Sequence, residues 1–349
     1  MIIHYLWNCF HSIRVTFELE RNITSWYNTN MVQNETYFGS HDGTRLFLYR
    51  WTPEGQPKAV LHIVHGMAEH AFRYRPLAEK LTTAGIEVWA ADQRGHGKTA
   101  DLGVNEPDKG GLLGHCADGK GFDIVTRDVL ALNMEIKKNR QGVPLFLLGH
   151  SWGSFIVQNY IEEYTGHLDI IKGCVLSGTK GPGDIKIKAG IPFLTLLAVL
   201  RGQRNGSHFA RSLADGQYNN PFKPNRTPFD WLSREEGEVD KYAADPFCGK
   251  LCSSGFYRDL AKLLNRIHRN EAIARINSRL PVYVFSGSAD PVGDMGAGPT
   301  ALVNVYRELG INDLEFVLYP GARHETLNET NREEVMDNLL SWINKRCEI

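Results

Sequence analysis

One stretch restricts this chain more than any other. Residues 144–164 read PLFLLGHSWGSFIVQNYIEEY. Pro144 to Leu148 is a short, continuous apolar run, the pattern of a strand buried on both faces. Phe155, Ile156, Tyr160, Ile161 and Tyr164 then recur at helical spacing. Between the two stands Gly149-His150-Ser151-Trp152-Gly153. A strand that enters a helix through G-x-S-x-G turns so tightly that the serine is strained and presents its hydroxyl at the carboxyl edge of a sheet. The flanking glycines let strand and helix approach closely. Such a stretch needs a sheet to hold the strand and helices to cover it.

The rest of the chain supplies both. Tyr37–Gly39 and Leu46–Trp51 flank Asp42-Gly43, a hairpin signal. Ala59–Val64, Ile86–Ala91, Ile170–Leu176, Pro281–Phe285 and Leu314–Tyr319 are further apolar runs. Between them, periodicity predicts helices around Tyr74–Leu81 and over 122–138, 256–276, 300–309 and 331–345. This alternation predicts an α/β fold, a mostly parallel sheet with helices on both faces. Right-handed crossovers bring the carboxyl ends of the strands to one edge, where functional loops gather.

From 181 to 255 the alternation breaks into Pro-, Gly- and Asn-rich segments. We read this region as a cap inserted over the sheet edge. Its apolar run Ala189–Leu200 is either a core-packing helix or a surface that lines an acyl channel or touches lipid. The chain thus divides into an extension (1–31), a core (32–180), the cap (181–255) and the rest of the core (256–349). Residues 1–30 lack the basic start and continuous apolar stretch of a signal peptide. They read as an extension, loosely docked or an artefact of start-codon choice.

Bulk properties exclude several classes. A net charge of −1 gives no global attraction to nucleic acid or anionic membrane. No apolar run reaches the length of a membrane span. The six cysteines are too few and irregular for a disulfide framework. Cys248-x3-Cys252 has the spacing of half a metal site, but no second ligand pair is evident, and free or structural thiols are the simpler reading. No metal or cofactor is expected.

A serine hydroxyl needs a base, and the base needs an orienting acid. Asp290 follows one predicted strand and His324 the next, so both loops leave the same sheet edge as Ser151. Asp294 is the reserve acid. His65, His70, His96 and His150 compete as bases, but His65 and His150 adjoin tight turns and read as buttresses. His62 and His65, three apart on a strand, fall on opposite faces. An oxyanion needs backbone donors: the Trp152 N–H at the helix start and the Met67 N–H, which Gly66 lets the chain aim at the same point.

These residues resemble the α/β-hydrolase superfamily, within it the monoglyceride lipase and lysophospholipase-like branch grouped as serine aminopeptidase S33 or hydrolase-4. Five blocks carry the resemblance in order: His65–His70, Asp92–Gly97, Gly149–Gly153, Ser288–Val292 and Gly321–Glu325. It implies Ser151, Asp290 and His324 as triad, Met67 and Trp152 as oxyanion donors, and a cap where the alternation breaks. Two positions depart from the branch. Trp152 stands where methionine is common, which narrows the pocket, and Ala68 replaces a frequent glycine.

The expected function is cofactor-free hydrolysis of carboxylic esters bearing an acyl chain, such as a monoacylglycerol or lysophospholipid, through an acyl-enzyme. The alternatives are an aminopeptidase or amidase of the proline iminopeptidase type and a non-catalytic binding protein of the same fold. An acidic pocket built from Glu235, Glu236, Glu238 and Asp240 would favour the aminopeptidase. The expected location is cytoplasmic, with peripheral lipid contact through the cap as an alternative.

Overall fold

A computed structural model describes residues 31–347 apart from 102, 120 and 184, together with the backbone of 18–22. Its strands are β1 (Glu18–Asn22), β2 (Val32–Gly39), β3 (Arg45–Thr52), β4 (Ala59–Val64), β5 (Ile86–Ala91), β6 (Leu145–His150), β7 (Gly173–Ser177), β8 (Val282–Gly287) and β9 (Leu314–Tyr319). They form one sheet in the order β1-β2-β3-β5-β4-β6-β7-β8-β9. The pairs from β1 to β5 are antiparallel, and every pair from β5 through β4 to β9 is parallel. Every residue of β4, β5, β6, β7 and β8 is buried, which is why these strands read as unbroken apolar runs.

The helices are α1 (Arg75–Thr83), α2 (Asp123–Asn139), α3 (Trp152–Tyr164), α4 (Ile185–Arg201), α5 (His208–Ala214), α6 (Glu236–Ala244), α7 (Ser254–Ile267), α8 (Asn270–Ile273), α9 (Ala297–Glu308) and α10 (Arg332–Cys347). Leu77 and Leu81 of α1 join Val335, Leu339 and Ile343 of α10 in one core cluster. Val125, Val129 and Ile136 of α2 join Ile156 of α3, Phe256 of α7 and Leu302 of α9 in the other. The sheet is therefore covered on both faces, the architecture of an α/β-hydrolase.

Two differences from the sequence reading concern boundaries. Glu18–Asn22, inside the expected extension, adds an edge strand, with Arg21 opposite Glu35 and Asn22 opposite Asn34. Residues 1–17 and 23–30, the rest of that extension, lie outside the described residues. The helix expected over 256–276 is two, α7 and α8, broken where Arg269 turns extended and the His268 ring meets the Lys180 carbonyl at 3.1 Å.

Between β7 and β8 lie α4 to α8 and no strand among the described residues, as the broken alternation implied. The apolar run 189–200 has two sides. Leu194 and Leu197 pack against the core and Ala198 is buried, whereas Val199 and Leu200 are 73% and 74% exposed. No helix among the described residues is long and apolar enough to cross a membrane.

Candidate active site

Strand register sets the site. Val64 pairs with Gly149, His150 with Ser177, Phe285 with Ser177 and Gly287 with Tyr319. The loops after β4, β6, β8 and β9 consequently start side by side.

Ser151 sits at φ 53° and ψ −124°, a conformation that L residues rarely adopt. The surrounding packing enforces it. A Cβ on Gly149 would lie 2.4 Å from the Gly153 carbonyl oxygen, and one on Gly153 would lie 2.1 Å from that of Val64. Only glycine fits either place. The Ser151 N–H donates to the Ser177 carbonyl (2.9 Å), and the Ser154 N–H donates to the Ser151 carbonyl (2.8 Å). As the first residue of α3, Trp152 has an N–H without an intrahelical acceptor.

His324 Nδ1 lies 3.0 Å from both carboxylate oxygens of Asp290. Asp290 also accepts from the Ser286 hydroxyl (3.0 Å) and the Val292 N–H (2.9 Å). Burial works to raise the pKa of Asp290; His324 and these donors outweigh it and hold the carboxyl below its ordinary value. Burial works to lower the pKa of His324, but the Asp290 carboxylate outweighs it and the imidazole is raised. The His324 ring packs against His150 (centroids 4.7 Å) and Trp231 (5.1 Å). Asp294, the reserve acid, is instead paired with Lys180 at 2.8 Å and is 59% exposed.

The competing histidines have other partners. His65 Nε2 accepts from the Gln93 N–H, so its proton is on Nδ1, which donates to the Gly66 carbonyl (both 2.8 Å). His150 Nδ1 faces the Ser177 hydroxyl at 3.1 Å, His96 Nδ1 the Arg94 carbonyl at 2.9 Å and His70 Nε2 the Asp245 carboxylate at 3.0 Å. Burial pushes His96 and His150 down to about 4 and His65 well below its ordinary value. His62 bonds Asn133 at 2.7 Å, remote from His65 in its contacts, as the strand spacing required.

Ser151 and His324 line one cleft with Met67, Trp152, Phe155, Tyr218, Phe229, Trp231 and Leu260. Its polar wall includes Arg211 and Asp215, 3.7 Å apart, and burial raises Asp215 to about 6. The acidic run contributes nothing to the lining: Glu236 and Asp240 are 77% and 58% exposed beside Arg226, and Glu238 meets Lys241 and Arg332. The 189–200 run is absent from the lining too. The Trp152 indole is 1% exposed, packed by His96, Phe122 and Phe256 at 5.0–5.2 Å, so it shapes the wall and offers almost no open surface.

Sequence reasoning missed a buried clamp. Arg73 bonds Glu69 Oε2 (2.6 Å) and both oxygens of Glu325 (2.6 and 2.7 Å). Glu69 Oε1 in turn accepts from the Gly66 N–H (2.5 Å) and the Tyr74 hydroxyl (2.9 Å). Burial opposes all three charges, and the attraction of Arg73 for each glutamate outweighs it, keeping both glutamates ionised and Arg73 protonated. The clamp joins the Met67 loop to the His324 loop. An acid at or next to the end of each of two motif blocks, with an arginine in the short 3-10 turn Ala71–Tyr74 before α1, was the signal. Ala68, at φ 55°, accepts at its carbonyl from the Gly249 N–H and the Tyr242 hydroxyl, both 2.9 Å.

A strained serine at a strand–helix elbow, sharing a cleft with an acid–histidine pair from the loops after β8 and β9, defines an α/β-hydrolase. The family model described as serine aminopeptidase, S33 (Hydrolase_4) matches residues 55–331, and the chain belongs to that family. It is 30% identical over 316 residues to a monoacylglycerol lipase of Mycolicibacterium smegmatis, covering 89% of this chain and 97% of the relative. It is 30% identical to the monoglyceride lipase of Mus musculus, covering 87% of this chain and 88% of the relative. Among solved structures, a carboxyl esterase from Bacillus coagulans in complex with glycerol superposes with a TM-score of 0.80 at 28% identity, covering 90% of this chain and 98% of the esterase. The chain is a carboxylic ester hydrolase.

Proposed function

We propose that this protein hydrolyses esters joining a fatty acyl chain to a small polar alcohol, of the monoacylglycerol type, through an acyl-enzyme on Ser151. The observation that carries the reading is the His324–Asp290 pair, 3.0 Å through Nδ1, in the same cleft as Ser151. With Nδ1 held by the carboxylate, Nε2 is the nitrogen left to take the Ser151 proton as the hydroxyl oxygen attacks the ester carbonyl. The N–H groups of Met67 and Trp152 stabilise the oxyanion. His324 then protonates the leaving alcohol. Water, activated by the same nitrogen, releases the acid. Asp290 orients His324 and stabilises its protonated form. The aromatic and aliphatic lining of the cleft suits an acyl chain.

The 181–255 segment acts as the cap, and we propose that it also docks on lipid. Of the eight large apolar side chains exposed among the described residues, six lie on α4 and α5: Phe193, Leu196, Val199, Leu200, Phe209 and Leu213. Phe193 and Phe209 touch, with ring centroids 5.5 Å apart, so the two helices share one apolar surface.

The test is hydrolysis of p-nitrophenyl esters of graded chain length and of monoacylglycerol in micelles, with aminoacyl-anilides beside them and Ser151→Ala as control. Ester activity lost in the control is expected; activity on anilides alone would refute the reading. Leu196→Glu with Val199→Glu should lower activity on vesicle-borne substrate several-fold and leave a soluble butyrate ester unaffected. Equal loss on both substrates would refute lipid docking.

A further inference from the structure

The fold separates Cys248 from Cys252. Cys252 joins the core around Trp152, whereas Cys248 packs with Leu232 and Tyr242. There its Sγ, an imidazole nitrogen of His70 and a carboxylate oxygen of Asp245 lie within 4.8 Å of one another. His70 and Cys248 are buried, and the Asp245 side chain is 27% exposed. The local chain explains the gathering. Asp245-Pro246-Phe247-Cys248 closes as a turn, with the Cys248 N–H donating to the Asp245 carbonyl at 3.2 Å. The Phe247 N–H holds Asp245 Oδ1 at 2.7 Å, and Oδ2 faces His70 Nε2 at 3.0 Å. A surface hollow lined by Tyr49, His70, Phe72, Asp245, Pro246 and Phe247 opens onto the pair.

We propose that His70, Asp245 and Cys248 form a zinc-class metal site, separate from the hydrolytic centre, with water from the hollow as the fourth ligand. One nitrogen, one oxygen and one sulfur donor suit a borderline-soft dication that accepts tetrahedral coordination; magnesium and calcium want oxygen alone. Thiolate and carboxylate together balance the charge of the ion, and the thiol proton leaves to solvent on binding. Metal–ligand bonds of about 2.0–2.3 Å place tetrahedral donors roughly 3.3–3.8 Å apart, so closing the site takes about 1 Å of side-chain movement. The Phe247 N–H already orients the carboxylate, the role outer hydrogen bonds play around metal ligands.

The position of the site gives it a consequence. His70 belongs to the loop that carries Met67, and Asp245 and Cys248 belong to the cap. The Gly249 N–H and Tyr242 hydroxyl already tie the cap to the Ala68 carbonyl, one residue from Met67. The His70–Asp245 contact is a third tie across the same seam, and a bound ion would replace it with coordination that also takes in Cys248, so occupancy stiffens the junction between cap and oxyanion loop.

Cobalt(II) tests this directly. The full chain, free of affinity tag and treated with chelator, is titrated with Co²⁺ and then with Zn²⁺. One equivalent should give the near-ultraviolet thiolate-to-cobalt charge-transfer band and the intense visible bands of tetrahedral cobalt, both erased by Zn²⁺. Cys248→Ser should abolish the charge-transfer band, and Cys252→Ser should retain it. Asp245→Asn, which leaves every thiol in place, should weaken cobalt affinity by about tenfold or more and covers the case in which Cys248→Ser does not fold. No band in the wild-type chain, a band that survives Cys248→Ser, or unchanged affinity in Asp245→Asn overturns the proposal.

Discussion

The strain at Ser151 can be weighed by comparing two inactive variants. Ser151→Ala and Ser151→Gly both delete the hydroxyl, but only alanine keeps the Cβ that makes φ 53°, ψ −124° costly. A residue held in such a region costs of order 1–3 kcal/mol. Against this, glycine gives the unfolded chain more freedom, worth about 0.4–1 kcal/mol. Ser151→Gly should therefore be more stable than Ser151→Ala by about 0.5–2 kcal/mol. At about 2.1 cal/mol/K per residue, a chain of 349 residues unfolds with about 0.7 kcal/mol/K, so the melting temperatures should differ by about 1–3 °C. Scanning calorimetry of the two variants in parallel reads the difference, with an ester assay confirming that both are silent. If the glycine variant melts at or below the alanine variant, the elbow is not strained and the argument fails.

Asp290→Asn should keep the fold and lower kcat/KM by about 10⁴-fold, since the imidazole loses its orienting charge. In the wild type, His324 is raised, so the acid limb of kcat/KM should lie above about 6.5, the ordinary imidazole value, and move down in the residual activity of the variant. Arg73→Met leaves Glu69 and Glu325 buried without a counter-ion and should cost about 3–5 kcal/mol in denaturant unfolding at pH 8. Both glutamates are depressed in the fold, so the clamp's contribution is present above about 4.3 and lost as pH falls; the gap between wild type and variant should narrow in acid. Glu162→Gln runs the other way. Glu162 is buried, neither carboxylate oxygen has a hydrogen-bond partner, and burial raises its pKa well above the ordinary value. Its protonated form is favoured in the fold, so stability is full below about 4.3 and declines as pH rises through the raised value. The glutamine variant should melt higher than wild type at pH 8 and match it near pH 4.

Much of this was legible because burial on both faces leaves a local trace. A strand such as Ile86–Ala91 has no exposed side to fill with polar residues, and the elbow at Gly149–Gly153 is dictated by contacts within a few residues and its partner strand. Ser151, Asp290 and His324 were picked out because each lies in the loop after a strand legible as an apolar run, β6, β8 and β9. The clamp left no comparable trace, since Arg73 and Glu325 are 252 positions apart and meet only through the sheet order. His70 is likewise 175 positions from Asp245 and reaches the Asp245–Cys248 turn only through the fold, which is why Cys248 looked like half of a pair with Cys252. The apolar run 189–200 was ambiguous because it has two sides, one packed and one bare, and periodicity cannot say which neighbour meets which side. Trp152 was expected to narrow the pocket; it lines the cleft, but His96, Phe122 and Phe256, from three distant segments, pack its indole and leave it almost no open surface.

The seam between the inserted segment and the reactive loops has a property that bears on how such a chain diversifies. His324 and Glu325 donate their N–H groups to the carbonyls of Trp231 and Leu232, at 3.4 and 2.7 Å, and Gly249 donates to the carbonyl of Ala68. All three bonds run from main chain to main chain. Side chains on the insertion can therefore be exchanged by mutation without untying it from the loops it covers, provided no proline falls at a donor. Under the proposed function, substrate preference can then drift while the reacting groups keep their places, so the segment proposed to select the ester is free to vary faster than the loops proposed to cleave it.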